Sequence, residues 1–181
     1  VGLSFDVCQV CFFAVPSLEL INAIRRQYSL HWWGIHGVSH WARVLENGVR
    51  VGALNGARLQ VVRLFAVFHD SRRLNDDHDP DHGRRGADLA ADLRGTLFEL
   101  PDNDFELLRI ACVGHTDGRT VADITVQTCW DADRLDLGRV GVKPHPKYLC
   151  TEAAKHPEMI SWANGRSMRN FTPEFVKTDW E

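Results

Sequence analysis

No run of strictly alternating polar and apolar residues lasts long enough to argue for a β-sheet, and no internal repeat or low-complexity stretch is present. A sheet-based fold and a repeat array are therefore set aside. Positive charge is not in excess: the formal net charge is −3, which excludes a strongly basic nucleic-acid-coating surface while leaving a local basic patch open. The apolar run at residues 7–16 is too short to span a bilayer. No basic stretch precedes it, so it reads as an N-terminal core segment rather than a signal peptide, and no membrane partner is expected. Cysteine is sparse and irregularly spaced, at Cys8, Cys11, Cys112, Cys129 and Cys150. An odd, scattered set argues against a disulfide framework and for a reducing, cytoplasmic setting. Cys8 and Cys11 form a lone CxxC, which without a second pair is a poor basis for a zinc site. Walker and G-x-G-x-x-G loops are also absent, so a nucleotide, if one binds, is a substrate and not a Rossmann-bound cofactor.

What remains is an ordinary globular composition, 44% hydrophobic and 25% charged, in 181 residues. That length suits one domain and can bury roughly 70% of its unfolded surface without staples. Its segments read as helices, giving an all-α fold of about six to eight helices. Ser17 caps a helix over 17–28. A second starts near Gly37 and runs past Val51. The segment 58–69 is almost wholly apolar, from Val61 and Val62 through Leu64, Phe65, Ala66, Val67 and Phe68, as a central buried helix should be. It delivers His69 and Asp70 at its end. A polar loop follows at 71–81, where His78 among Asp76, Asp77, Asp79 and Asp81 reads as solvated. Further helices are expected at 82–94, 101–114 and 123–137. The tail 142–181 carries Pro144, Pro146 and Pro157 and is expected to be irregular, with short helical pieces.

Nine histidines are many for this length. Six chemistry-bearing residues lie at or near the ends of expected helices: His40, His69, Asp70, His82, His115 and Asp133. Imidazole and carboxylate together suit divalent Mn, Fe, Co, Ni or Zn. Neighbours on a helix point about 100° apart, so His69 and Asp70 can grip one ion only where the helix opens into a pocket. His36 lies four residues before His40 and shares its face, so either could be the ligand. Asp131 and Asp133 point about 200° apart and cannot both face one ion. Whichever turns away faces solvent or pairs with a nearby Arg.

The order H…HD…D resembles the HD superfamily, through "HGVSHWARV" around His40, "LFAVFHDSRR" around His69–Asp70 and "WDADRLDLGRVG" around Asp133. The resemblance covers residues 31–141. It favours His40 over His36 and Asp133 over Asp131 as ligands. His82 in "HGRRG" and His115 in "GHTDGRT" look like the additional ligands of two-metal HD proteins such as the HD-GYP phosphodiesterases and myo-inositol oxygenase. Gly114-His115 and Arg119-Thr120 stand where HD-GYP proteins carry a double His and the GYP tripeptide, so cyclic-di-GMP hydrolysis is not implied. The resemblance implies an HD-domain helical bundle and a metal-dependent phosphohydrolase acting on a nucleotide or other small phosphorylated substrate. His40, His69, Asp70 and Asp133 would hold one ion, and His82 and His115, sharing Asp70, would hold a second if there is one. Asp70, His36, Arg43 and Arg134 are the catalytic candidates. Arg43, Arg72, Arg73 and Arg134 are the candidates for binding an anionic substrate. A di-iron oxygenase on the same ligands and a metal-binding regulatory module without turnover are the alternatives. Nothing in the sequence reads out an oligomeric state.

Overall fold

The computed structural model describes residues 16–181. The CxxC pair Cys8 and Cys11, and the apolar segment before Pro16, lie outside the described residues. Nine α-helices are present among those described, with no β-strand. Helix α1 (Leu18–Arg25) is capped as expected, the Ser17 hydroxyl accepting from the Leu20 amide. Gly37 opens α2 (Val38–Asn55), which ends on Gly56 in the left-handed conformation, a backbone state that glycine enters without strain.

Helix α3 (Leu59–Phe68) is the hub. Its seven apolar residues from Val61 to Phe68 are all buried, and it packs against α2, α4 (His82–Leu93), α5 (Asp102–Gly114) and α6 (Ile124–Arg134). A helix apolar on every side has no solvent face, so its neighbours must enclose it. Gly48 on α2 allows a close approach: a Cβ there would strike the Val62 side chain and crowd Ala132. The Trp130 indole donates to the Ala111 carbonyl at 3.1 Å, fixing α6 against α5. Tyr28, Trp32 and Trp41 meet edge to face at 5.2–5.9 Å and close the α1–α2 corner.

The tail is more ordered than the prolines suggested. Glu152–Lys155 forms a short α7 and Phe175–Asp179 a short α9, but α8 (Pro157–Met168) runs for 12 residues. Pro157 occupies its first turn, where the missing N–H costs nothing, so this proline starts a helix and does not break one. Leu149, Ala154, Met159, Ile160 and Ala163 bury against Val51 and Leu135 as a small second core. Among the described residues no helix is long and apolar enough to cross a membrane.

Gly86 in α4 lies against the Phe68 carbonyl, where a Cβ would collide with backbone. Alanine normally gains about 1 kcal/mol over glycine inside a helix. Here the obstacle is a carbonyl that cannot rotate away, and overpacking costs typically about 1–3 kcal/mol. Gly86→Ala is therefore expected to destabilise on balance, and a thermal melt should show a midpoint lower by a few degrees, at about 2–4 °C per kcal/mol. A higher midpoint would show that α4 does not sit this close to α3.

Candidate metal centre

Five helix ends converge on one buried point. His40 lies in the first turn of α2, and His69 and Asp70 directly follow α3. His82 opens α4, His115 directly follows α5, and Asp133 lies in the last turn of α6. Their ligand atoms fall into two trios, each within 4.8 Å: His40, His69 and Asp133, and Asp70, His82 and His115. The six residues expected from the sequence are thus brought together.

Asp70 joins the trios. Its Oδ2 lies 3.6 Å from His40 Nε2 and 3.8 Å from His69 Nε2, while Oδ1 lies 3.1 Å from His82 Nε2 and 3.7 Å from His115 Nε2. One carboxylate therefore turns one oxygen to each trio. His36 does not join either; its Nδ1 bonds Asp70 Oδ2 at 2.8 Å and orients the shared carboxylate.

The far sides of the rings define the near sides. His40 Nδ1 faces Asp136 Oδ2 at 2.7 Å, and His69 Nδ1 faces the Phe65 and Ala66 carbonyls at 3.1 Å. His82 Nδ1 bonds the Asp79 carbonyl, and His115 Nδ1 the Cys112 carbonyl at 2.7 Å. Each partner is an acceptor, so each Nδ1 donates, and each ring when neutral turns its Nε2 lone pair inward. Those lone pairs meet at 3.0 Å between His40 and His69 and at 2.9 Å between His82 and His115. Two lone pairs at that distance repel, and a cation between them removes the conflict. Asp133 Oδ1 adds a buried oxygen without a hydrogen-bond partner, 3.5 Å from His40 Nε2. This donor set, with each imidazole anchored from behind by a carboxylate or carbonyl, fits a divalent transition ion.

The electrostatics agree. Burial, reinforced by Arg139, holds His40 well below the usual imidazole range, and burial pushes His69 down to about 4 against the pull of Asp70 and Asp133. Both rings are thus neutral and ready to ligate. Burial alone would raise Asp70, but the surrounding imidazoles of His69, His115, His36 and His82 hold it well below the carboxylate range. Burial likewise opposes charge on His115, yet Asp70 outweighs it and raises that ring.

The arginines expected at the substrate divide sharply. Arg43 does not face the centre. Its Nε and Nη2 donate to Asp136 at 2.7 and 3.0 Å and its Nη1 to the Phe171 carbonyl at 2.9 Å, so it braces Asp136, which braces His40. Arg134 also turns away, donating to the Tyr148 and Arg119 carbonyls, and Arg72 reaches the Gln27 carbonyl. For Arg134 adjacency to Asp133 misled, since the next residue on a helix points about 100° away, whereas Arg43 shares the face of His40 but is held by Asp136. Arg73 does reach the centre, with Nη1 3.6 Å from Asp70 Oδ1. Asp131 is neither solvated nor paired with an arginine: it is buried and accepts from the Cys150 and Thr151 amides and the Thr151 hydroxyl at 2.6–2.8 Å. His78 is exposed in its loop, as expected.

Two residues escaped the sequence reading, Asp136 and Arg139. Arg139 lies 3.7 Å from Asp133 Oδ1 and donates to the Ile35 carbonyl. The signal was the three-residue spacing of Asp133, Asp136 and Arg139, which keeps them on one side of a helical continuation. Among the ligands Asp133 is the most open, its side chain 13% exposed against 0–3% for the other five. Solvent therefore approaches on the side of Asp133, His36 and Arg139. No family model, curated protein or solved structure matches the chain.

Proposed function

We propose that this chain is a metal-dependent phosphohydrolase of the HD type, acting on a nucleotide or another phosphate ester. The observation that carries the reading is Asp70, one carboxylate shared between two trios of inward-facing ligand atoms. His40, His69, Asp133 and Asp70 Oδ2 would hold one divalent ion, and His82, His115 and Asp70 Oδ1 a second. Bound there, such ions make water acidic enough to supply hydroxide near neutral pH and polarise phosphoryl oxygens.

The chain's own groups supply the rest. Arg139, nearly buried beside the first trio on its more open side, puts positive charge there, which suits a phosphate oxygen more than a neutral polyol. His36 holds Asp70 and stands on the more open side, where it can take or return a proton. The low exposure of the six ligands keeps bulk water from competing at the centre. Cys112, Cys129 and Cys150 are free thiols, which suits a reducing, cytoplasmic setting.

Elemental analysis of purified protein, followed by a phosphomonoester and nucleotide panel, tests the reading. Mn, Fe, Co, Ni or Zn at up to two per chain, with phosphate release lost on chelation, is the expected result. A di-iron signal with oxygen consumption and no phosphate release would replace it with the oxygenase. Stably bound metal without turnover of any kind would leave a regulatory module. Replacing His82 and His115 together with alanine should lower the stoichiometry from two to one and leave the His40 trio filled. Unchanged metal content in that variant would remove the second site.

A further inference from the structure

We propose that Arg73 is a built-in competitor for the second cation, its guanidinium covering the ligating faces of His82 and Asp70 until the loop that holds it lets go. The inference rests on the two-ion reading above and concerns how the second site is controlled.

Arg73 Nη1 lies 3.3 Å from His82 Nε2, the nitrogen that would ligate, and 3.6 Å from Asp70 Oδ1, the oxygen that would ligate beside it. No other guanidinium among the described residues contacts a ligating ring nitrogen in this way: Arg139 faces the first trio only through the Asp133 carboxylate. A divalent ion placed among Asp70, His82 and His115 would meet a fixed positive charge at contact range, where like charges are strongly repulsive even at the effective dielectric of a protein. Ion and guanidinium therefore exclude each other.

The guanidinium is not free to leave alone. Its Nε donates to the Asn75 carbonyl at 3.2 Å and its Nη2 to the Asp77 carbonyl at 2.6 Å, so it is tied to the loop at residues 74–81. That loop is exposed at Leu74, Asn75, Asp76, Asp77 and His78, and so is able to move. Its far end is anchored: Asp79 accepts from Arg85 and from the Leu74 amide, and its carbonyl bonds His82 Nδ1. Displacing Arg73 would thus shift the tip of the loop while Asp79 keeps His82 oriented. The first site would fill readily and the second only at higher ion concentration, with the loop as the reporter.

The test titrates metal-free wild type and Arg73→Met with Mn²⁺ by calorimetry, counting free ion by electron paramagnetic resonance. Wild type should show one tight and one weaker step. Arg73→Met, which keeps length and removes charge, should tighten the second step tenfold or more and leave the first unchanged, while Arg73→Lys should tighten it less. Amide exchange over residues 74–81 of the wild type should quicken with the second equivalent of Mn²⁺ and not with the first, a readout that stands even if Arg73→Met does not fold. Two equal steps in the wild type, an unchanged second step in Arg73→Met, or a loop indifferent to the second equivalent would overturn the proposal while leaving the metal centre in place. Absence of any Mn²⁺ binding would overturn both.

Discussion

Asp70→Ala is expected to leave the protein without metal at either site and to lower turnover by more than about 100-fold. Removing a residue that merely orients a ligand typically costs about 10–100-fold in metal affinity or activity. Asp70 does more, because it would give one oxygen to each trio and its loss halves the carboxylates available to the first. The second trio has no other carboxylate at all. His36 and Arg73 would also lose the anion they face. Asp70→Asn separates charge from shape: it preserves volume and should lose metal nearly as completely. Elemental analysis and far-ultraviolet circular dichroism on the same samples make the comparison, the expected outcome being empty sites with helix content retained. Full metal content in either variant would mean that the centre lies elsewhere.

The second large effect falls on a residue that is not itself a candidate ligand but holds one from behind. Asp136→Ala should cost about 3–5 kcal/mol, the usual penalty for removing one partner of a buried ion pair, and so lower the melting midpoint by about 6–20 °C in the metal-free protein. Asp136 is fully buried and holds both the Arg43 fork and His40 Nδ1. Its loss strands a guanidinium and frees the His40 ring to adopt the other tautomer, so metal affinity at the first trio should fall by about 10–100-fold as well. The double variant Arg43→Met with Asp136→Asn distinguishes the two effects. It should recover much of the stability, since no charge is left buried alone, while the affinity loss persists because His40 still lacks its carboxylate. A double variant that regained tight metal binding would assign Asp136 a purely structural role.

Much of this arrangement was legible from residue order. The six helices from α1 to α6 begin and end within a few residues of their expected limits, because Ser17, Gly37, Pro101 and Asp123 mark starts and the apolar run of α3 admits only a central position. The six candidate ligands stood out at helix ends, but the preference for His40 over His36 and for Asp133 over Asp131 came from the resemblance to HD proteins. Direction was not legible. Arg43, Arg72 and Arg134 each lie within three positions of a ligand, yet each bonds something else, since placement along a chain does not fix where a side chain points. Asp136 and Arg139 carry the three-residue spacing of Asp133 past the end of α6 into the 3-10 stretch Leu137–Val140, but a spacing alone does not say that one would brace His40 and the other face Asp133. Pro157 hid α8 for the opposite reason: a proline breaks a helix in its middle and favours one at its start.

The convergence of five helix ends has a topological consequence. The six residues come from five separate stretches of chain between residues 40 and 133, so one coordinated centre would close several long loops at once. A clip of this kind restricts the unfolded ensemble more as the loops it closes grow longer. Metal here would act as a cross-link at the crossing point of the bundle, not as a patch on its surface. Opening any one helix end would mean releasing all the others, so a loaded chain should resist proteolysis along its whole described length, and stripping the ion should loosen distant helices such as α1 and α8 along with the centre.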